Sequence, residues 1–315
     1  MNETDSLFDW GIANHVLGRF KSTFMRSCIN RSVSIILIFV LASFISLAQQ
    51  VKEPAGGNAE WSKEYPPFRV AGNLYYVGTY DLACYLITTP DGHILINTGL
   101  AGSFDLIKAS VEALGFKFSD IRILLTTQAH FDHTGALAAI KKATGASMMV
   151  DEKDVPVMED GGLSDYAFGG TVMFAPVKVD RKLKDKDVIA LGNTKLTMLH
   201  HPGHTKGSCS YLVDVKDEKK NYRILIANMP TIVTDKELNA IPDYPQAAQD
   251  FAFTLKSLKS LSFDIWVASH ASQFNLHTKH KPGDGYNPEA FRDRKLYDKS
   301  LTELQAAYDR RMAGK

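Results

Sequence analysis

Gln128-Ala129-His130-Phe131-Asp132-His133 brings two imidazoles, a carboxylate and a carboxamide together in one short stretch. It follows an apolar run, Ile121 to Thr127, and gives way to a helical pattern beginning near Thr134. Imidazole nitrogen and carboxylate oxygen are donors that zinc favours, and a rigid strand end holds them in fixed geometry. A polar loop with incidental histidines is the blander reading, and donor density directly after an apolar strand argues against it. A second cluster, His200-His201-Pro202-Gly203-His204-Thr205-Lys206-Gly207, also follows a strand-like run, and His270 ends a third, Asp264 to Ser269. Three strand ends therefore each deliver imidazoles. A catalytic zinc takes three protein ligands and keeps one position open, so the clusters hold donors for two such centres.

Other candidates are set aside. His200 and His201 precede Pro202, which marks a turn, and neither is expected to touch a metal. His93, beside a hairpin turn, is expected on an exposed strand position, and His277 and His280, among lysines, in solvent. Cys84 and Cys209 lie in apolar strand-like surroundings without metal-site spacing and are expected as buried free thiols.

The elements that must position these donors can be read from periodicity. Leu74 to Val77, Cys84 to Thr88 and His93 to Asn97 are strand-like, with Thr89-Pro90-Asp91-Gly92 as a hairpin turn. Phe104 to Leu114 is helical and stops at Gly115; Thr134 to Ala143 is helical and ends at Gly145. Met148 to Val150 is a further strand, and Asp151 to Asp187 a charged, glycine-bearing region of loops. A second strand series follows at Val188–Leu191, Lys195–Leu199, Cys209–Val213 and Tyr222–Ala227. Pro245 to Leu261 is helical, Phe263 to Ser269 a strand, and Glu289 to Met312 a closing amphipathic helix. Strands grouped with helices in two similar halves predict an α/β fold of two packed sheets with helices outside.

Lys and Arg total 36 against 35 Asp and Glu, so no charge excess points to nucleic acid or an anionic membrane. The run from Val33 to Leu47, preceded by Arg26 and Arg31 and closed by Ser46-Leu47-Ala48, reads as a secretory signal peptide over residues 1–48. The run falls short of the roughly 20 apolar residues a membrane anchor needs. Met25 is well placed as the true start of that leader, and Cys28 leaves with it. Residues 49–67 are polar and proline-bearing, a tether to a folded domain over 68–315. The expected location is the periplasm, as a monomer without a stable membrane anchor.

The QAHFDH stretch, the HPGHTKGS stretch and the terminal ASH resemble the metallo-β-lactamase superfamily. More narrowly, EWSKEYPPFRVAGNLYYVGTYDLACYLITTPDGHILINTG is similar to the amino-terminal region of subclass B3, and the likeness extends from about Trp61 to the last helix. The resemblance implies an αββα sandwich of two mixed β-sheets packed face to face. It implies two zinc ions, one held by Gln128, His130 and His204 and the other by Asp132, His133 and His270.

Gln128 stands where the superfamily usually has histidine. Its carbonyl oxygen is a weaker donor than imidazole, so the first zinc is expected to be held less tightly. Met229, where most of the subclass has serine, is the second departure, and both match the GOB-type branch. Thr231 and Met229 are the expected substrate contacts. The implied activity is hydrolysis of the β-lactam amide of penicillins, cephalosporins and carbapenems by zinc-bound hydroxide, with Asp132 orienting the water. A lactonase or glyoxalase II-like thioesterase is the alternative. Those families use a bridging aspartate after the second histidine cluster, and Ala227 to Thr234 contains no carboxylate. A binding protein with structural zinc would need closed, usually cysteine-rich sites, which these are not.

Overall fold

The computed structural model describes residues 51–314. The expected leader, residues 1–48 with Cys28, lies outside the described residues. β1 (Phe68–Ala71), β2 (Leu74–Tyr76), β3 (Tyr85–Thr89) and β4 (Gly92–Ile96) form an antiparallel series. The Pro-Asp-Gly signal closes the β3–β4 hairpin, where Thr89 pairs with Gly92 at a φ of 119° that suits glycine. After α1 (Phe104–Ala113), β5 (Ile121–Leu125) joins parallel to β4. α2 (Phe131–Thr134), α3 (Leu137–Thr144), β6 (Ser147–Asp151), α4 (Val155–Glu159) and β7 (Arg181–Leu183) follow. The first sheet has the order β1-β2-β3-β4-β5-β6-β7.

The second sheet is built from β8 (Val188–Leu191), β9 (Thr194–His200), β10 (Cys209–Lys216), β11 (Asn221–Ala227) and, after α5 (Ala247–Ser260), β12 (Ile265–Ala268). Its order is β12-β11-β10-β9-β8. α6 (Leu276–Lys279) and α7 (Arg294–Met312) come last. No helix among the described residues is long and apolar enough to cross a membrane.

Strand alternation turns one face of each sheet toward the other. Ile87, Ile94, Ile96 and Leu125 share a buried cluster with Leu196, Met198, Tyr211, Val213 and Ile224. The opposite face of the first sheet, with Leu86, Leu95, Leu124 and Met148, packs on Ile107 and Val111 of α1 and on Leu137 and Ile140 of α3. Leu258 of α5 and Tyr297 and Leu301 of α7 join Trp266 of β12. The result is the expected αββα sandwich of two mixed sheets. Each buried side chain of this size adds about 1.5–3 kcal/mol, so the sheet ends are rigid mounts. The carboxyl ends of β5 and β12 meet: the hydroxyls of Thr127 and Ser269 lie 2.9 Å apart, and Cys209 N at the start of β10 donates to Thr127 O at 2.8 Å.

Several expectations change. Residues 51–67 do not hang as a tether: Lys52 pairs with Met173 through both backbone bonds, Glu53 accepts from Ala101 N at 2.7 Å, and a 3-10 turn spans Ala59–Trp61. The closing helix begins at Arg294, because the Asp293 side chain caps Leu296 N and separates it from a 3-10 turn at Pro288–Phe291. His93 is buried, since β4 is an interior strand whose ring position faces Phe116. His280 is buried too, stacked on Phe68 at 3.7 Å with Nδ1 3.0 Å from the Tyr65 hydroxyl, and His277 stacks half-buried on Tyr80. Flanking lysines revealed nothing about these rings, because aromatic side chains distant in sequence cover them. Cys84 and Cys209 are buried and free, as expected.

Candidate metal centre

The loop after β5 is fixed before it presents any donor. Asn97, just past β4, adopts a φ of 63°, and its Oδ1 accepts from Thr127 N at 2.9 Å and from the hydroxyls of Thr126 and Thr127 at 3.2 Å. Thr98 N donates to His133 O at 2.8 Å. After α2, Gly135 passes so close to the 99–101 backbone that a Cβ would lie 2.3 Å from Ala101 N. Only glycine allows that approach. Asp154, fully buried, ties this loop to the second cluster. Its Oδ2 accepts from Ala129 N at 3.1 Å and Thr205 Oγ1 at 2.7 Å, and its Oδ1 from Gly207 N at 2.7 Å. Burial, helped by the nearby charge of Asp151, raises its carboxyl to about 6 against the pull of these hydrogen bonds.

His130 and His204 meet edge-on, their ring planes 63° apart, with His130 Nδ1 3.1 Å from His204 Nε2. Behind His204, Nδ1 lies 2.7 Å from the Thr231 carbonyl oxygen, so that nitrogen donates and Nε2 keeps its lone pair. Behind His130, Nε2 faces Asp165 Oδ2 at 3.3 Å, leaving Nδ1 toward its neighbour. Burial opposes charge on His130, but Asp165 outweighs it and raises its pKa; burial and the charge of His130 push His204 down to about 3. One proton or one cation can bridge such a pair. Gln128 Oε1 is buried beside this loop without any hydrogen-bond partner. The two facing nitrogens of His130 and His204 sit at the separation expected of ligands to one zinc, and the unpartnered Gln128 oxygen is a further donor on the same loop.

The donor atoms of Asp132, His133 and His270 all lie within 4.8 Å of one another. Asp132 Oδ2 is 3.3 Å from His133 Nε2 and 3.4 Å from His270 Nε2. Burial opposes charge on Asp132, yet His133 and His270 hold its carboxyl well below the usual range. His133 is buried with no partner at Nδ1 and only Asp132 beside Nε2, and burial lowers its pKa against the pull of Asp132. His270 Nδ1 lies 3.2 Å from Asp81 Oδ2; burial works against its charge, but Asp132 and Asp81 raise it to about 9. A carboxylate behind a ligating imidazole fixes the ring and its tautomer. Both trios fit zinc by donor type, by unpartnered buried atoms and by such backing.

The remaining candidates lie apart. His200 Nδ1 pairs with Asp151 at 2.7 Å, and His201 bridges the hydroxyls of Ser210 at 2.8 Å and Ser257 at 3.0 Å. Neither enters a trio. Met229 is 2% exposed and belongs to the buried cluster between the sheets. Thr231 is half-buried at the rim, its hydroxyl 3.1 Å from His204 Nδ1. Sequence reasoning missed Asp81, Asn97, Asp154 and Asp165. Only Asp165 carried a signal, a lone carboxylate between Gly161-Gly162 and Gly169-Gly170.

The chain is similar to known proteins. The family model of the metallo-β-lactamase superfamily matches residues 78–217. A probable metallo-hydrolase of Methanocaldococcus jannaschii is 27% identical over 39% of this chain, and the match spans only 58% of that protein. GOB-18 from Elizabethkingia meningoseptica, a metallo-β-lactamase, superposes with a TM-score of 0.83 at 55% identity over 85% of this chain and 100% of its own. The class B3 di-zinc metallo-β-lactamase LRA-12 from an Alaskan soil metagenome reaches a TM-score of 0.82 at 65% identity, over 83% of this chain and 100% of that one. Likeness of that degree, end to end along a solved relative and over the strands that carry both trios, is kinship: the chain belongs to the class B3 metallo-β-lactamases.

Proposed function

We propose that this protein is an exported zinc β-lactamase that hydrolyses the amide bond of penicillins, cephalosporins and carbapenems and so confers antibiotic resistance. The observation that carries this reading is the pair of adjoining donor trios, Gln128/His130/His204 and Asp132/His133/His270, in a chain 65% identical to a class B3 enzyme. When bound, zinc polarises a carbonyl oxygen and lowers the pKa of water to about 7, which provides a nucleophile without a serine or cysteine.

The protein's own residues do the rest. Asp132, held ionised by His133 and His270, accepts a hydrogen from the attacking water and orients it toward the lactam carbonyl. Its proton then has a route to the departing ring nitrogen on the same side of the site. Thr231, at the rim, offers a hydroxyl to the substrate carboxylate. Trp61 and Phe131, with ring centroids 6.0 Å apart, form an apolar wall beside His270 that keeps bulk water from the reacting bond. The Gln128 trio, with an amide oxygen in place of an imidazole, binds its metal more weakly, and the enzyme works with only the Asp132 trio filled.

The test is turnover of a penicillin, a cephalosporin and a carbapenem by the mature protein, with and without a chelator. Hydrolysis that the chelator abolishes and zinc restores is expected. Turnover of a homoserine lactone or a glutathione thioester without β-lactam hydrolysis would overturn the reading. Export through residues 1–48 predicts a mature amino terminus after Ala48, readable by mass spectrometry of periplasmic extract, and a monomer on sizing.

A further inference from the structure

One oxygen of Asp81 is shared by two side chains. Its Oδ2 lies 3.2 Å from His270 Nδ1 and accepts from Trp61 Nε1 at 3.1 Å, while Oδ1 accepts from Ser272 N at 2.9 Å. The backbone repeats the link: Asp81 N donates to Glu60 O at 3.2 Å, and Ala271 N donates to Asp81 O at 2.7 Å. The Trp61 indole also lies against the His270 ring, with centroids 5.8 Å apart. A single segment thus grips the carboxylate, the ring it supports and the backbone beside both. The same segment, through Glu53, holds Ala101, against which Gly135 and the end of α2 are packed.

We propose that Trp61 is a positioning residue of the Asp132/His133/His270 trio, fixing the Asp81 carboxylate that orients His270 and thereby setting how tightly this trio holds zinc. The N-terminal segment is then part of the metal site and not only a strap over it. This inference rests on the reading of the trio as a zinc site.

Loss of the indole N–H frees Asp81 Oδ2 to rotate about its remaining anchor at Ser272, and His270 follows. Partners behind metal ligands are worth roughly 10–100-fold in affinity, so Asp81→Asn is expected within that range and Trp61→Phe, which keeps an aromatic ring, near its lower end, about tenfold. The experiment is zinc competition against a chromophoric chelator on the mature protein, its W61F and D81N variants and the double variant, with circular dichroism as the check on folding. Support is a loss of zinc affinity in W61F with an unchanged spectrum, and no added loss when W61F is placed on D81N. Wild-type affinity in W61F beside a weakened D81N overturns the proposal, as does a W61F loss that is equal in both backgrounds. Failure of the unaltered protein to take up zinc would instead overturn the metal reading on which it stands.

Discussion

The two donor trios adjoin on one loop, where Gln128 and His130 precede Asp132 and His133 by only a few residues, yet they differ in charge and in what stands behind them. The second trio contains an ionised carboxylate, and its outlying histidine leans on Asp81. The first contains only neutral donors and borrows its negative charge from Asp165 behind His130. The difference teaches that the same fold can grade two metal positions by placing a carboxylate in the ligand set or one residue behind it. A carboxylate in contact attracts the cation fully, whereas one acting through an imidazole only strengthens that ring as a donor.

The comparison can be broken most sharply at Asp132. Substitution by Asn keeps the shape but removes the charge and the hydrogen acceptor, and kcat should fall roughly 10²–10⁴-fold, the range for a lost acid–base group, with zinc content reduced. A kcat within tenfold of wild type would place the chemistry elsewhere. At the first trio, Asp165→Asn should lower zinc affinity there by roughly 10–100-fold while leaving the Asp132 trio's affinity intact. Equal loss at both trios, read by stepwise zinc titration, would show that the backing carboxylates are not specific.

A smaller effect tests the footing of the first trio. His201, buried between two serine hydroxyls below the loop that carries His204, is pushed down to about 4 by burial. The unfolded chain takes up this proton first as pH falls, so the stability is present above about pH 6.5 and lost toward pH 4, about 2 kcal/mol of it between pH 7 and pH 5. Denaturant midpoints at the two pH values should therefore converge in His201→Asn, whose amide can still bond the serines. The smallest change is expected at Gln128: replacement by His supplies an imidazole and should tighten zinc at the first trio by about tenfold. Unchanged resistance to chelators would remove the amide as the cause of inequality.

Much of this is legible in the amino-acid sequence. The candidate ligand residues stand at strand ends that periodicity marks, and Gly145 and the Asp91-Gly92 turn stop their elements where local chemistry demands, with φ of 69° at Gly145. The supporting shell was not legible. Asp81, Asn97 and Asp154 each reach the site from another element, and nothing in their neighbours announces a carboxylate or amide destined for full burial. His280 shows the same limit from the other side, since a ring among lysines is read as wet until Phe68 and Tyr65 are seen to cover it. The motif itself was misjudged only at its end: the helix begins at Phe131, inside the donor run, so that Asp132 and His133 project from its first turn.

Each trio draws its donors from both halves of the chain, and that has a mechanical meaning. A cation gripped by His130 and His204 joins residues 74 positions apart, as a covalent bridge would. Closing a loop of that length removes unfolded-state freedom worth about 4 kcal/mol on the scale used for disulfides. Cys84 and Cys209, buried and unpaired, supply no such bridge. The metals would thus be the sutures of this protein as well as its reagents, and stripping them would loosen the seam between the two sheets along with the chemistry.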